Sequence, residues 1–441
     1  MLENVIQLSE STDVGAVGSL SLHPFMAKAL GINGQALKII KFGSLRFVCN
    51  LSLTDRLPLN EASLSADITE MLNIPVYCNL ELKRNNHDEI VIGPFIGILA
   101  GHYHDTLDKL LDHLFDYVFY YRHIKGAILA FSLEEVDQKN HVIKGYLYNP
   151  KIKKWVEGTF PYPSSIFVMA DSVSSDTIKH FQSVIGDSVF NDFHLNRWEI
   201  NKTLASSLEV KNYLPEAKLY ETPHDLYTFL KKFANINMKT VNSSHSSPIK
   251  VILKDPSNFV IQDDKETKNF KFYNRDQAYS IFSRYFQKQE YFIQESIDVT
   301  GYLTIKFRVI IVKNPSGEWQ VMGLFMRDKK SGDISRNVFP LVKLGKAQLK
   351  ELFQISNLRA SLVYNEIVHI AIDAVKALES MDSHLANAVV DMVIGEVGEV
   401  WITDIEHSNP SHEIVLVAGY PELYYEILKI NMLYAKKLTG F

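Results

Sequence analysis

The chain has 441 residues, more than one compact domain usually holds, so two or three domains are expected. Hydrophobic residues make up 46% and charged residues 22%, which excludes a disordered or low-complexity protein. The balance of 46 basic against 51 acidic residues, net charge -5, argues against a nucleic-acid-binding surface. Cys49 and Cys78 have neither CxxC nor zinc-ligand spacing and read as reduced, packed thiols. The N-terminus lacks a basic n-region, and no run of about 18 apolar residues occurs, so neither a secretory signal nor a membrane span is expected, and an intracellular protein is.

In chain order, LHPFMAKALGI (22–32) reads as a helical turn ending at Gly31. LKIIKFGSLRFVCNLSL (37–53) has the short β runs and glycine punctuation of a small barrel or sheet, and a second β cluster is expected over 74–82. No repeat of fixed period is evident. These features define a β-rich module over residues 1–88. EIVIGPFIGILAG (89–101) is an apolar β-type run punctuated by glycines. The following TLDKLLDHLFDYVFYYR (106–122) places Leu107, Leu110, Leu111, Leu114 and Val118 at helical spacing, and AILAFSL (127–133) is a buried strand. Strand, glycine turn, helix, strand is the pattern of an α/β layer, assigned to 89–190. Its glycines lack the GxGxxG spacing of a phosphate cradle, and a packing role suits them better.

From residue 191 the pattern becomes α+β. NRWEINKTL opens a helix, PHDLYTFLKKF is a second, capped one, and INMKTVN is a short strand carrying Lys239. IKVILKD and NFVIQDD read as antiparallel partners, and YFIQESIDV as a strand with Gln294 and Glu295 just past its end. Two long β runs (302–313 and 318–329) carry Arg308 and Arg327 and are joined by a turn at 314–317. A long helix (359–380) precedes the hairpin NAVVDMVIGEVGEVWITDIEHSNP.

That hairpin carries the most specific signal. Asp404 and Glu406 are two apart on one strand and therefore share a face, and the turn can bring Asp391 beside them. Three carboxylates on one sheet face repel unless a cation or basic side chains neutralise them, so both Mg2+ ligation and ion pairing remain open. Lys239 alone is read either as snorkelling to solvent or as aimed at an anion, and Arg308 and Arg327 either as phosphate clamps or as surface ion pairs.

Taken in order, NRWEI, YLPEAKLY, PHDLYTFLKKF, the Lys239 strand, YFIQESI, FRVIIVK, WQVMGLFMR, the NV of SRNVF and VVDMVI…VWITDIEHSNP resemble the ATP-grasp superfamily, most closely the YheC/YheD spore-coat-associated family. LHPFMAKALGI, FGSLRFVCNL and IGPFIGIL are similar to that family's front half. The resemblance implies an α+β ATP-grasp fold of two lobes over 191–441, preceded by the β-rich module and the small α/β layer. It implies ATP and Mg2+ as cofactors, with Lys239, Ser243 and Ser244 at the phosphates and Gln294, Glu295, Ser296 and Ile297 at adenine. Asp391, Asp404 and Glu406 would ligate the metal, and Arg308 and Arg327 would act in catalysis on phosphate or an acyl phosphate. The implied activity is ATP-dependent carboxylate–amine ligation, with a peptide or protein substrate or coat proteins as partners, in the cytoplasm or at the spore coat. Three departures favour a competing reading, a degenerate ATP-grasp frame serving as a binding module. The loop NSSHSSPI (242–249) has no glycine, Lys306 replaces an aspartate two residues before Arg308, and Asp404-Ile-Glu406 replaces Glu-x-Asn.

Overall fold

The computed structural model describes residues 5–10, 17–32, 37–192, 195–242, 247–287, 289–297, 305–327, 341–380, 383–395 and 398–441. Seven strands between Val5 and Gly93 close into a barrel. Residues 74–79, expected as a β cluster, instead form the turns that follow the Ala66–Leu72 helix, and the strand begins at Leu80. Local apolar content is the same in both readings; the left-handed Asn73 that ends the helix decides between them.

The barrel contains a duplication that residue patterns had hidden. Ser19–Leu22, helix Pro24–Ala29 and Leu37–Phe42 are matched by Glu61–Leu64, helix Ala66–Leu72 and Leu80–Arg84. Leu22, Leu30, Gly31 and Ile32 recur at constant spacing as Leu64, Leu72, Asn73 and Ile74, with Gly31 and Asn73 both at positive φ. The two first strands pair with each other, Leu20 opposite Leu64 and Leu22 opposite Ala62, as a two-fold axis between the halves requires.

The apolar run 89–101 is divided at Gly93 and Pro94. Ile90–Gly93 completes the barrel, while Phe95–Gly101 becomes a central strand of a six-stranded sheet. That strand runs parallel to Ala127–Asp137 on one side and to Ser165–Val168 on the other. Gly97 is a packing residue: a Cβ there would lie 2.5 Å from the Pro163 ring and 3.0 Å from Phe131.

The remaining chain forms two lobes. In the smaller, six antiparallel strands carry the helices Pro223–Phe233 and Arg275–Tyr285 on one face, where Ile236, Met238, Val251, Ile261 and Ile293 are buried. In the larger, five antiparallel strands lie between two apolar layers. Phe307, Val309, Val390 and Met392 pack on the long helix Asn357–Glu379, and Ile310, Val312 and Val389 pack toward helices Glu413–Val417 and Pro421–Leu438. The last helix also packs on His104–Val118 and Ser165–Val168, and Lys436 Nζ reaches Glu81 Oε1 of the barrel at 2.7 Å. One helix therefore joins the barrel, the α/β sheet and the larger lobe. Among the described residues no helix is long and apolar enough to cross a membrane.

Gly97→Ala should overpack the junction with Pro163 and Phe131 and destabilise the fold by about 1–3 kcal/mol, read as a lower midpoint in urea.

Candidate nucleotide site between the lobes

The site is assembled from five strands and one helix start. In the larger lobe, Arg308 on Ile305–Lys313 stands opposite Asp391 on Asn387–Ile394, which stands opposite Asp404 on Val400–Glu406. Directly opposed residues of an antiparallel sheet point to the same face, so a cation and two carboxylates form one row across three strands, with Glu406 two residues on. Arg308 spans the row's acids. Its Nε lies 2.8 Å from Asp391 Oδ1, and its Nη2 lies 3.1 Å from Asp391 Oδ2 and also donates to Glu406 Oε1.

Asp404 has a different partner, Arg197, which the sequence reading did not select. Arg197 is the first residue of helix Arg197–Ser206. The helix start is fixed by a capping box in which Asn196 Oδ1 accepts from the Glu199 amide and Glu199 Oε2 accepts from the Asn196 amide, each at 3.0 Å. The Arg197 amide donates to the Val241 carbonyl at 3.0 Å, and its guanidinium is bound to both oxygens of Asp404. A cation at a helix N-terminus opposes the helix dipole, so an arginine there needs a carboxylate from elsewhere. The sequence signal was present in NRWEI, as a capping box enclosing an arginine.

The smaller lobe contributes Lys239 on Asn235–Thr240, 5% exposed, whose ammonium donates to the Thr403 carbonyl. That carbonyl is available because the ladder slips at this point: Asp391 pairs with Asp404 but Met392 pairs with Ile402, leaving Thr403 as the extra residue of a bulge. Gln294, 2% exposed, lies within the strand Tyr291–Glu295 and not beyond it, opposite Asn237. The Glu295 amide donates to the Glu216 carbonyl at 2.8 Å and the Ser296 amide to the Asn235 carbonyl at 3.1 Å, and Ile297 is half-buried beside them. Arg327 ends the strand Trp319–Arg327 opposite Leu341, with its side chain outside the described part. Ser243 and Ser244 lie outside the described residues, as do Asn337 and Val338.

Burial and charge set the protonation states. Burial pushes the Asp391 carboxyl up to about 6 despite the pull of Arg308 in the opposite direction. Asp404 is also pushed up by burial, but Lys239 and Arg197 outweigh that and hold it below the usual carboxylate value. Burial brings the Lys239 ammonium down to about 8, with Asp404 partly restoring it. His412, 4% exposed, is brought down to about 4 by burial and then by Arg308, and its Nε2 lies 3.0 Å from Asn387 Oδ1. It is a neutral imidazole closing the buried end of the row.

Asp391, Asp404 and Glu406 offer the hard oxygen donors that suit Mg2+. Here they are neutralised by Arg308 and Arg197, and among the described residues no three His, Cys, Asp or Glu side chains are gathered around a common cation position. The donor chemistry suits the ion, and Asp391, Asp404 and Glu406 are the residues that would hold it. The space lined by Arg197, Lys239, Phe292, Gln294, Thr403 and Asp404 is about 20 Å3, room for one water.

A family model for YheC/D-like ATP-grasp proteins matches residues 186–438, more than half of the chain. No curated protein matches it. Among solved structures, the ATP-grasp ligase PsnB complexed with minimal precursor, Mg and ADP is 11% identical, with a TM-score of 0.42 over 78% of this chain and 97% of that one. The D-alanine–D-alanine ligase from Coxiella burnetii is 10% identical, with a TM-score of 0.43 over 76% of this chain and 94% of that one. A RiPP-associated ATP-grasp ligase from Chryseobacterium gregarium, in complex with ADP and a leader and core peptide, is 11% identical, with a TM-score of 0.37 over 76% and 95%. With the family model spanning both lobes that frame Lys239, Arg308 and the carboxylate hairpin, the chain belongs to the YheC/D-like ATP-grasp family.

Proposed function

We propose that the chain binds Mg-ATP between its two lobes and acts as an ATP-dependent carboxylate–amine ligase. The observation that carries this reading is that Lys239 of the smaller lobe reaches the Thr403 carbonyl of the larger, beside the Arg197–Asp404 pair and the Arg308 bonds to Asp391 and Glu406. Three cations and three carboxylates converge where the smaller lobe's lysine strand meets the larger lobe's acidic hairpin. In the proposed reaction a carboxylate oxygen of the substrate attacks the γ-phosphorus of ATP, ADP leaves and an acyl phosphate forms. An amine nitrogen then attacks the carbonyl carbon, phosphate leaves and the nitrogen loses its proton. Lys239 and Arg197 would hold the phosphates, and Arg308 and Arg327 would stabilise charge on the transferred group. Asp391, Asp404 and Glu406 would hold Mg2+, which supplies charge neutralisation at the phosphates. Ser243 and Ser244 would contact phosphate, and Gln294, Glu295, Ser296 and Ile297 would border the adenine. A peptide or protein is the proposed substrate class, and spore-coat formation in the cytoplasm the proposed setting; both rest on the family resemblance.

A second reading is favoured by the same charges. Arg308 spanning Asp391 and Glu406, with Lys239 on the Thr403 carbonyl, satisfies the site without a ligand. A chain retained for partner binding would have this self-neutralised arrangement.

Calorimetry with ATP and Mg2+ separates the two. The ligase reading expects micromolar binding in the wild type and its loss in Asp404→Ala; a folded wild type with no affinity supports the binding-module reading. The Lys239 value sets the pH response: its charge is present below about 8 and lost above it, so ATP affinity should fall between pH 7 and 9. Lys239→Arg should retain affinity across that interval, because a guanidinium stays charged.

A further inference from the structure

Each open sheet in this chain has two edge strands, and an edge presents unpaired amides and carbonyls to any strand that can reach it. Most of these edges are short or guarded. Val189–Phe190, Ala217–Leu219 and Leu341–Lys343 have only two or three residues, and Val400–Glu406 has the Arg197 helix start bonded to its Asp404. Thr267–Lys271 carries Lys268 and Lys271, residues of the kind that discourage edge pairing. Lys154–Pro161 differs from all of them. It is eight residues long, and Val142–Asn149 is its one hydrogen-bonded neighbour among the described strands. Its own lysine and proline stand at its two ends, so neither guards the middle.

Two observations fix which backbone groups point outward. The Thr159 carbonyl accepts from Asn73 Nδ2 of the barrel, so it faces away from Val142–Asn149. Pro161 stands opposite Val142 and has no N–H to give it. Residues of a ladder alternate, so Trp155 and Glu157 also turn their amides and carbonyls outward, while Val156 and Gly158 bond their own sheet. The side chains along this stretch are already placed. Trp155 packs on Phe115 and Tyr148, and Glu157 is held by Lys144 at 2.9 Å. Val156 is 37% exposed, an apolar side chain on an open edge.

We propose that this edge binds a second copy of the chain, Lys154–Gly158 of the two copies pairing antiparallel about a two-fold axis through Val156. In that register Trp155 of one copy stands opposite Glu157 of the other, and their outward amides and carbonyls exchange two hydrogen bonds. The axis repeats this pair on the far side of Val156. Val156 meets its own equivalent and is covered, and Lys154 lies opposite Gly158. No like charges face each other, whereas a shift in one direction would set Glu157 against Glu157. A shift the other way would pair Glu157 with Lys153, whose φ of 53° takes it out of the ladder. The Asn73 contact at Thr159 ends the free stretch on its other side. A two-fold contact uses the same strand in both copies, so the pair closes and leaves nothing to propagate. The two six-stranded sheets become one, and the inference is independent of the nucleotide reading.

The test is disulfide capture on the full chain, followed by sedimentation velocity. Val156→Cys should be trapped as a covalent dimer on mild oxidation, because opposed residues that bond their own sheets have Cα atoms about 4.5 Å apart, within disulfide reach. Cys49 and Cys78 are buried and do not compete. Thr267→Cys, on the exposed edge Thr267–Lys271, measures random collision. Glu157→Pro removes an outward N–H and no bond to its own sheet, and Val156→Lys sets two like charges on the axis. Each should weaken the dimer by roughly tenfold or more in sedimentation, and Glu157→Pro added to Val156→Cys should abolish the capture. Capture of Val156→Cys no faster than of Thr267→Cys would overturn the proposal. So would capture that Glu157→Pro leaves unchanged, or a dimer that survives both Glu157→Pro and Val156→Lys, since its contact would lie elsewhere.

Discussion

Charge neutralisation in the seam between the lobes is the constraint on which the site depends. Asp391, Asp404 and Glu406 share one face of a sheet that is covered on both sides. Like charges this close repel by about 4 kcal/mol at 4 Å in a partly buried environment, so the row persists only with cations supplied. One comes from the sheet itself, Arg308 on the next strand, and two come from outside it: Arg197 from a helix start and Lys239 from the other lobe. The two lobes are thus tied to each other at Lys239 and the Thr403 carbonyl.

In that arrangement each of these groups has a partner within the protein. Lys239 is satisfied by the carbonyl that the Thr403 bulge turns out of the ladder, and Asp404 by Arg197. On the proposed function, a polyanion would compete for these cations and a divalent ion for the carboxylates.

Beyond the two lobes, the last helix links the parts of the chain. Pro421–Leu438 packs on the α/β sheet and on the strand of Arg308, and its Lys436 bonds Glu81 of the barrel. The duplicated barrel is therefore linked through this helix to the strand that carries Arg308.

The sequence by itself determined which residues share a strand and a face, because that depends only on the two-residue repeat of a β-strand. Asp404 and Glu406 belong together on those grounds, and so do Asn235, Asn237 and Lys239 once Ile236 and Met238 are taken as core. The order of motifs also carried the family, since order survives when individual residues change. Only the tertiary structure decided which cation meets which acid. Arg197 and Asp404 are far apart in the chain and meet because a helix start docks against a hairpin, and the slip at Thr403 depends on how two strands pair. The barrel's duplication leaves a short trace in the letters, Leu22, Leu30 and Ile32 recurring as Leu64, Leu72 and Ile74, while Gly31 and Asn73 share a backbone conformation with no resemblance in side chain. Contacts across lobes are fixed by the packing of whole faces, and no local pattern of residues encodes them.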